Sequence, residues 1–100
     1  MPNKVTKVVW TRQARESLTS ILDYRYKDIP SARNIVKKDI INASKQIVYA
    51  EQYQKDEIYP QYMRIIVRDY KVLYKEQKGI IFILNVICTR ASLNTNTKST

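Results

Sequence analysis

One hundred residues, with eighteen Lys and Arg against nine Asp and Glu, describe a single small domain of net charge +9. That balance favours an anionic partner (nucleic acid, a membrane surface or an acidic protein) and says nothing about the fold. The absences exclude more. There is no His to act as general base or metal ligand, a single Gly rules out a phosphate-cradling loop, and a single Cys rules out an internal disulfide. No metal or cofactor is expected. The lone Cys fits a reducing cytoplasm, residues 1–7 carry no apolar signal segment, and no apolar run is long enough to span a bilayer as a helix.

Residues 5–10, VTKVVW, are β-rich and read as a strand at or beside a sheet edge. Thr11 can cap a following helix, on which Ala14, Leu18, Ile21, Leu22 and Arg25 share one face. Pro30 cannot continue that helix, and Ser31 is the expected cap of the next. Ala32, Val36, Ile40, Ala43, Ile47 and Ala50 then recur at intervals of 4, 4, 3, 4 and 3, the strongest helical pattern in the chain. A short joint between two helices predicts an antiparallel pair. Residues 51–61 have no clean period, contain Pro60, and read as a connection.

Three apolar runs follow, at 63–67, 72–74 and 80–88, separated by Arg68-Asp69 and by Glu76-Gln77-Lys78-Gly79. Runs this short and rich in Ile and Val predict three antiparallel strands, with Gly79 supplying the positive φ a hairpin needs. The fold class is therefore α+β: strand, helix pair, three-stranded antiparallel sheet. The domain is read as residues 1–91, with the polar segment SLNTNTKST at 92–100 as a disordered tail. Strict alternation along 80–88 puts Ile81, Ile83 and Ile87 on one face and Ile80, Phe82, Leu84, Val86 and Cys88 on the other. One helix pair covers one face only, so the other needs a further segment, a second copy or another protein. Cys88 is read as a core residue, not a nucleophile. Tyr24, Tyr70 and Tyr74 are read as roofing the core with their hydroxyls in water, while Tyr49, Tyr53 and Tyr59 are partner-interface candidates.

YMRIIVRDYKVLY, followed by an apolar strand and Thr89-Arg90, resembles the RelE/ParE superfamily of type II toxins. VVWTRQARESLTSILDY is similar to that superfamily's opening strand and helix. The likeness covers roughly residues 5–92, and it rests on the order and spacing of motifs that are individually weak. It implies a growth-inhibiting toxin held by an acidic, ParD-like cognate antitoxin.

In the nuclease branch, cations stabilise the transition state of messenger RNA cleavage on the ribosome while Lys or Tyr moves protons. Carried over by position, Arg64, Lys71 and Arg90 would be the catalytic candidates. Two pieces of that set are missing: Ile66 stands where a second basic residue is expected, and nothing after Arg90 supplies a C-terminal Tyr. The departure favours the ParE-like branch, which acts on DNA gyrase without catalysis by the toxin. A ribosome-dependent endoribonuclease and a non-toxic nucleic-acid-binding module are the alternatives. Arg64, Arg68, Lys71 and Arg90 then form a basic rim that meets the target, anchors the antitoxin, or is simply solvated.

Overall fold

The computed structural model describes residues 5–47 and 53–89. Seven elements run in the order β1 (Lys7–Trp10), α1 (Arg12–Arg25), α2 (Pro30–Lys45), β2 (Gln54–Lys55), β3 (Met63–Val67), β4 (Tyr70–Gln77) and β5 (Ile80–Cys88). The strands form one sheet in the order β1-β5-β4-β3-β2, parallel between β1 and β5 and antiparallel elsewhere. The α+β class expected from the sequence is thus found, with a larger sheet. The two-residue β2 lies in the stretch read as a connection, and the first strand is an edge paired parallel to the last. The proposed tail at 92–100, together with Tyr49, Ala50 and Arg90, lies outside the described residues.

Local chemistry explains the element ends. Thr11 makes two bonds to the Ile83 carbonyl, through its N–H at 3.1 Å and its hydroxyl at 2.7 Å, and the same hydroxyl accepts from the Ala14 N–H at 3.2 Å. One residue therefore ends the β1 ladder and caps α1. Ile29, not Ser31, occupies the N-cap position of the second helix and makes no side-chain cap, with Pro30 at the first helical position. Proline suits that place because the first-turn N–H it lacks has no intrahelical partner. Lys78 (φ 55°) and Gly79 (φ 82°) both take positive φ, which a tight two-residue hairpin requires.

The helices cover one sheet face. Ala14, Leu18 and Leu22 of α1 and Val36 and Ile40 of α2 pack with Ile65, Tyr70, Val72, Tyr74, Ile81, Ile83 and Val86. Ile47 is buried although the helix ends two residues earlier, so the α2 stripe continues into the core past the last turn. Trp10 donates through Nε1 to the Ser44 hydroxyl at 3.1 Å, and Ser44 donates to the Ile41 carbonyl at 2.7 Å, which accounts for a polar side chain in this layer.

Three tyrosines divide differently from their expected roofing role. Tyr24 is 84% exposed, whereas Tyr70 and Tyr74 are fully buried. Tyr24 points away from the face that Leu22 buries, while Tyr70 and Tyr74 alternate with outward residues on β4. Burial pushes both phenols up to about 12; for Tyr70 the neighbouring Tyr26 adds to this and the Arg25 charge opposes it. Arg25 binds Asp69 at 3.0 Å and donates to the Tyr70 hydroxyl and Cys88 Sγ, each at 3.4 Å. It ties the end of α1 to the β3–β4 turn and to the end of β5.

The alternation along β5 breaks. Tyr74 pairs with Ile83 but Leu73 pairs with Asn85, so β5 carries one extra residue, a bulge at Leu84. Beyond it the faces exchange: Val86 joins Ile81 and Ile83 in the core, and Ile87 turns outward with Phe82. The face assignment expected for Val86, Cys88 and Ile87 is corrected accordingly.

Leu22→Ala should cost about 2–5 kcal/mol, because it opens a cavity in a filled layer, whereas Tyr24→Ala should change stability by no more than about 0.5 kcal/mol. Urea unfolding of the two variants checks the contrast; equal midpoints would contradict the assigned core.

Candidate partner-binding face

The sheet face away from the helices carries three of the residues that the sequence marks as functional, Arg64, Lys71 and Tyr59. Directly opposed residues share a face, so Arg64 with Leu73 and Asn85, Ile66 with Lys71 and Ile87, and Lys75 with Phe82 and Val9 all point outward. The result is an apolar band interleaved with cations. Ile66 is 53% exposed and Leu73 only 4%. The difference comes from residues 56–62, the loop joining β2 to β3, which folds back over one side of this face. Tyr59 and Tyr62 of that loop line a groove of about 430 Å³ with Leu73, Leu84, Asn85 and Ile87, and Thr11 and Gln13 also line it.

Asp56 holds the loop in place. One carboxylate oxygen accepts from the Ile58 and Tyr59 N–H groups at 3.1 and 2.9 Å. The other lies 2.8 Å from Lys71 Nζ and 3.9 Å from Arg64 Nη1. The Asp56 N–H bonds the Tyr62 carbonyl at 2.9 Å, closing the loop on itself. Both partners of the central pair are buried, Asp56 at 1% and Lys71 at 7% exposure. Burial alone would raise the Asp56 pKa. The ion pair with Lys71 and the two backbone donors outweigh it and hold the carboxyl below its ordinary range.

The basic residues singled out from the sequence do not form one rim. Arg64 and Lys71 converge on Asp56, and Arg64 also reaches Glu57 at 3.7 Å and Gln54 at 3.4 Å. Arg68 turns toward the helices and binds Asp39 of α2 at 2.6 Å. Arg90 lies outside the described residues, as does Tyr49. Tyr59 lines the groove, while the half-buried Tyr53 packs against the core. Sequence reasoning missed Asp56 and the groove role of Tyr62. The available signal was an Asp at the start of a turn stretch, four residues before Pro60, whose carboxylate can cap the N–H groups that follow it.

The molecule is a small basic α+β domain with one helix-covered face and an opposite face where cations alternate with apolar side chains. The sequence matches the family model described as the ParE toxin of the type II toxin–antitoxin system parDE over residues 8–92, and the chain belongs to that family. It is similar in structure to a chain of the chromosomal ParDE toxin–antitoxin system from P. aeruginosa, with a TM-score of 0.67 and 19% identity, covering 84% of this chain and 95% of that one. No curated protein matches the sequence. No helix among the described residues is long and apolar enough to cross a membrane.

The depressed Asp56 pKa fixes a pH dependence. The unfolded chain takes up the proton first, so this contribution to stability is complete above about pH 4 and is lost as pH falls through the lower folded value. Asp56→Asn should cost roughly 3 kcal/mol at neutral pH by leaving Lys71 unpaired, and should show a shallower acid-side loss than the wild type. Urea midpoints measured from neutral pH down to about 2 test this; parallel profiles would contradict it.

Proposed function

We propose that this chain acts in the cytoplasm as a growth-inhibiting toxin that binds and poisons DNA gyrase without itself catalysing a reaction, and that an acidic cognate antitoxin neutralises it. The observation that carries the non-catalytic part is the state of Lys71. At the position where the resemblance puts a catalytic cation, Lys71 is 7% exposed and paired with Asp56. A phosphoryl group needs an accessible cation and a proton carrier beside it. Here Ile66 faces outward in the place of a second basic residue. Membership of the ParE family supports the same reading. The antitoxin part is supported by the net charge of +9 and by the apolar band on the open face. Tyr59, on the groove, is the best placed of the interface candidates, and Arg68, paired with Asp39 and half-exposed on the opposite side, is the described basic candidate left outside the Asp56 cluster.

Induced expression should stall DNA replication and raise the DNA damage response while messenger RNA stays intact in the first minutes. Replication run-off and messenger RNA integrity, followed in the same culture, decide the matter. Early codon-specific cleavage on translating ribosomes would replace gyrase with the ribosome as target.

A further inference from the structure

Lys71 sits in the middle of an outward-facing sheet surface, yet it is almost inaccessible. A buried ion pair is rarely the most stable filling of such a place, because desolvating two charges offsets most of their attraction. Its geometry does something an apolar filling would not: two cations from neighbouring strands aim at one carboxylate oxygen, at 2.8 and 3.9 Å. That oxygen belongs to a loop, not to the sheet. The rest of the loop is held by two bonds of its own, the Asp56 N–H to the Tyr62 carbonyl and the Tyr62 N–H to the Tyr59 carbonyl, both at 2.9 Å, and by an exposed Glu57 that Arg64 reaches at 3.7 Å. Its neighbour β2 is only two residues long. The groove beside it has an apolar floor, Leu73, Leu84 and Ile87.

We propose that Asp56 is an internal placeholder: residues 56–62 form a strap that keeps a carboxylate in the seat made by Lys71 and Arg64, and an acidic-apolar polypeptide segment takes that seat when the strap lifts. The inference rests on the reading that an acidic partner covers the open face, and adds how the face is kept closed without it. A polypeptide fits better than nucleic acid because the seat already holds a carboxylate and its surroundings are aliphatic. Ile66, Leu73, Leu84 and Ile87 would meet the apolar positions of the incoming segment. Lifting the strap uncovers two cations and buried Leu73 together, so charge and apolar contact become available in one step. In the closed state the strap lowers the free toxin's affinity for stray acidic peptides.

The test uses the whole chain and a synthetic peptide of alternating Glu and Leu, about twelve residues long, with single-stranded oligothymidylate as the competing probe. Asn at position 56 can still accept from the Ile58 and Tyr59 N–H groups, so Asp56→Asn removes the charge and keeps the turn. It should bind the peptide about tenfold more tightly than the wild type, with the gain abolished in Asp56→Asn/Lys71→Met. In the wild type, which needs no substitution to fold, the peptide should speed amide exchange at Ile58 and Tyr59 while slowing it along β4 and β5. Unchanged affinity in Asp56→Asn overturns the proposal, as does increased protection of Ile58 and Tyr59 on peptide binding. An equal gain for the oligothymidylate overturns the polypeptide assignment. None of these readouts depends on toxicity, so a failure of the gyrase reading would leave them standing.

Discussion

The strand that organises this molecule, β5, is nine residues long and apolar on both faces, and only one face lies under helices. A sheet with that strand next to its edge cannot leave the second face bare without presenting a continuous apolar strip to water. The chain answers with what lies within reach. A loop between two other strands is drawn over part of the strip, cations are set between the exposed aliphatics, and a bulge turns Val86 inward and Ile87 outward. Each device is partial. Ile66 stays 53% exposed, and Leu84 and Ile87 remain half-buried in an open groove. Incomplete cover is a structural property of this domain.

The loop is held by charge, where the opposite face is held by packing. Leu22, Ile40 and Ile83 lose all contact with water and gain dispersion and hydrophobic transfer, interactions that tolerate small displacements poorly and have no sign to reverse. Asp56, Lys71 and Arg64 are held by an interaction whose net worth is small once desolvation is counted, and which another anion can replace. The two faces therefore respond to different perturbations. Acid acts on the loop by neutralising Asp56, and bulk denaturant acts on the helix-covered core.

The elements with a strong period were legible in the sequence. Both helices announced themselves through apolar spacing, and Thr11 and Gly79 through backbone chemistry that few residues satisfy. Ile29 at the N-cap position was hidden, because its role comes from the Pro30 that follows and not from its own side chain. The strand β2 was hidden as well: two residues, Gln54 and Lys55, become a strand only because Arg64 and Met63 are already extended beside them. The bulge at Leu84 had no local signature, since any residue of that apolar run could have carried it. Among the site residues, Arg64 and Lys71 were marked by type, but their convergence depended on Asp56. A carboxylate in a polar stretch reads as solvated until the fold places two cations against it. Arg68 shows the opposite case: its strand-end position suggested the same surface, and a turn with φ 55° sent it to Asp39 on α2.

The parallel contact between the first strand and the last has a temporal meaning. Thr6 and Gly79, 73 residues apart in the chain, are joined by hydrogen bonds at 2.8 and 3.2 Å, and the first helix owes its cap partly to Ile83. Closing so long a stretch is entropically costly before any contact rewards it, and sheets built this way form slowly. A ribosome that has made the helix pair has made a hairpin with its apolar stripe exposed and nothing to bury it against. The core and the open face both come into being only when the final strand emerges. Synthesis of this protein therefore carries a built-in delay: everything from β1 through β5 must exist before the core and the open face can form.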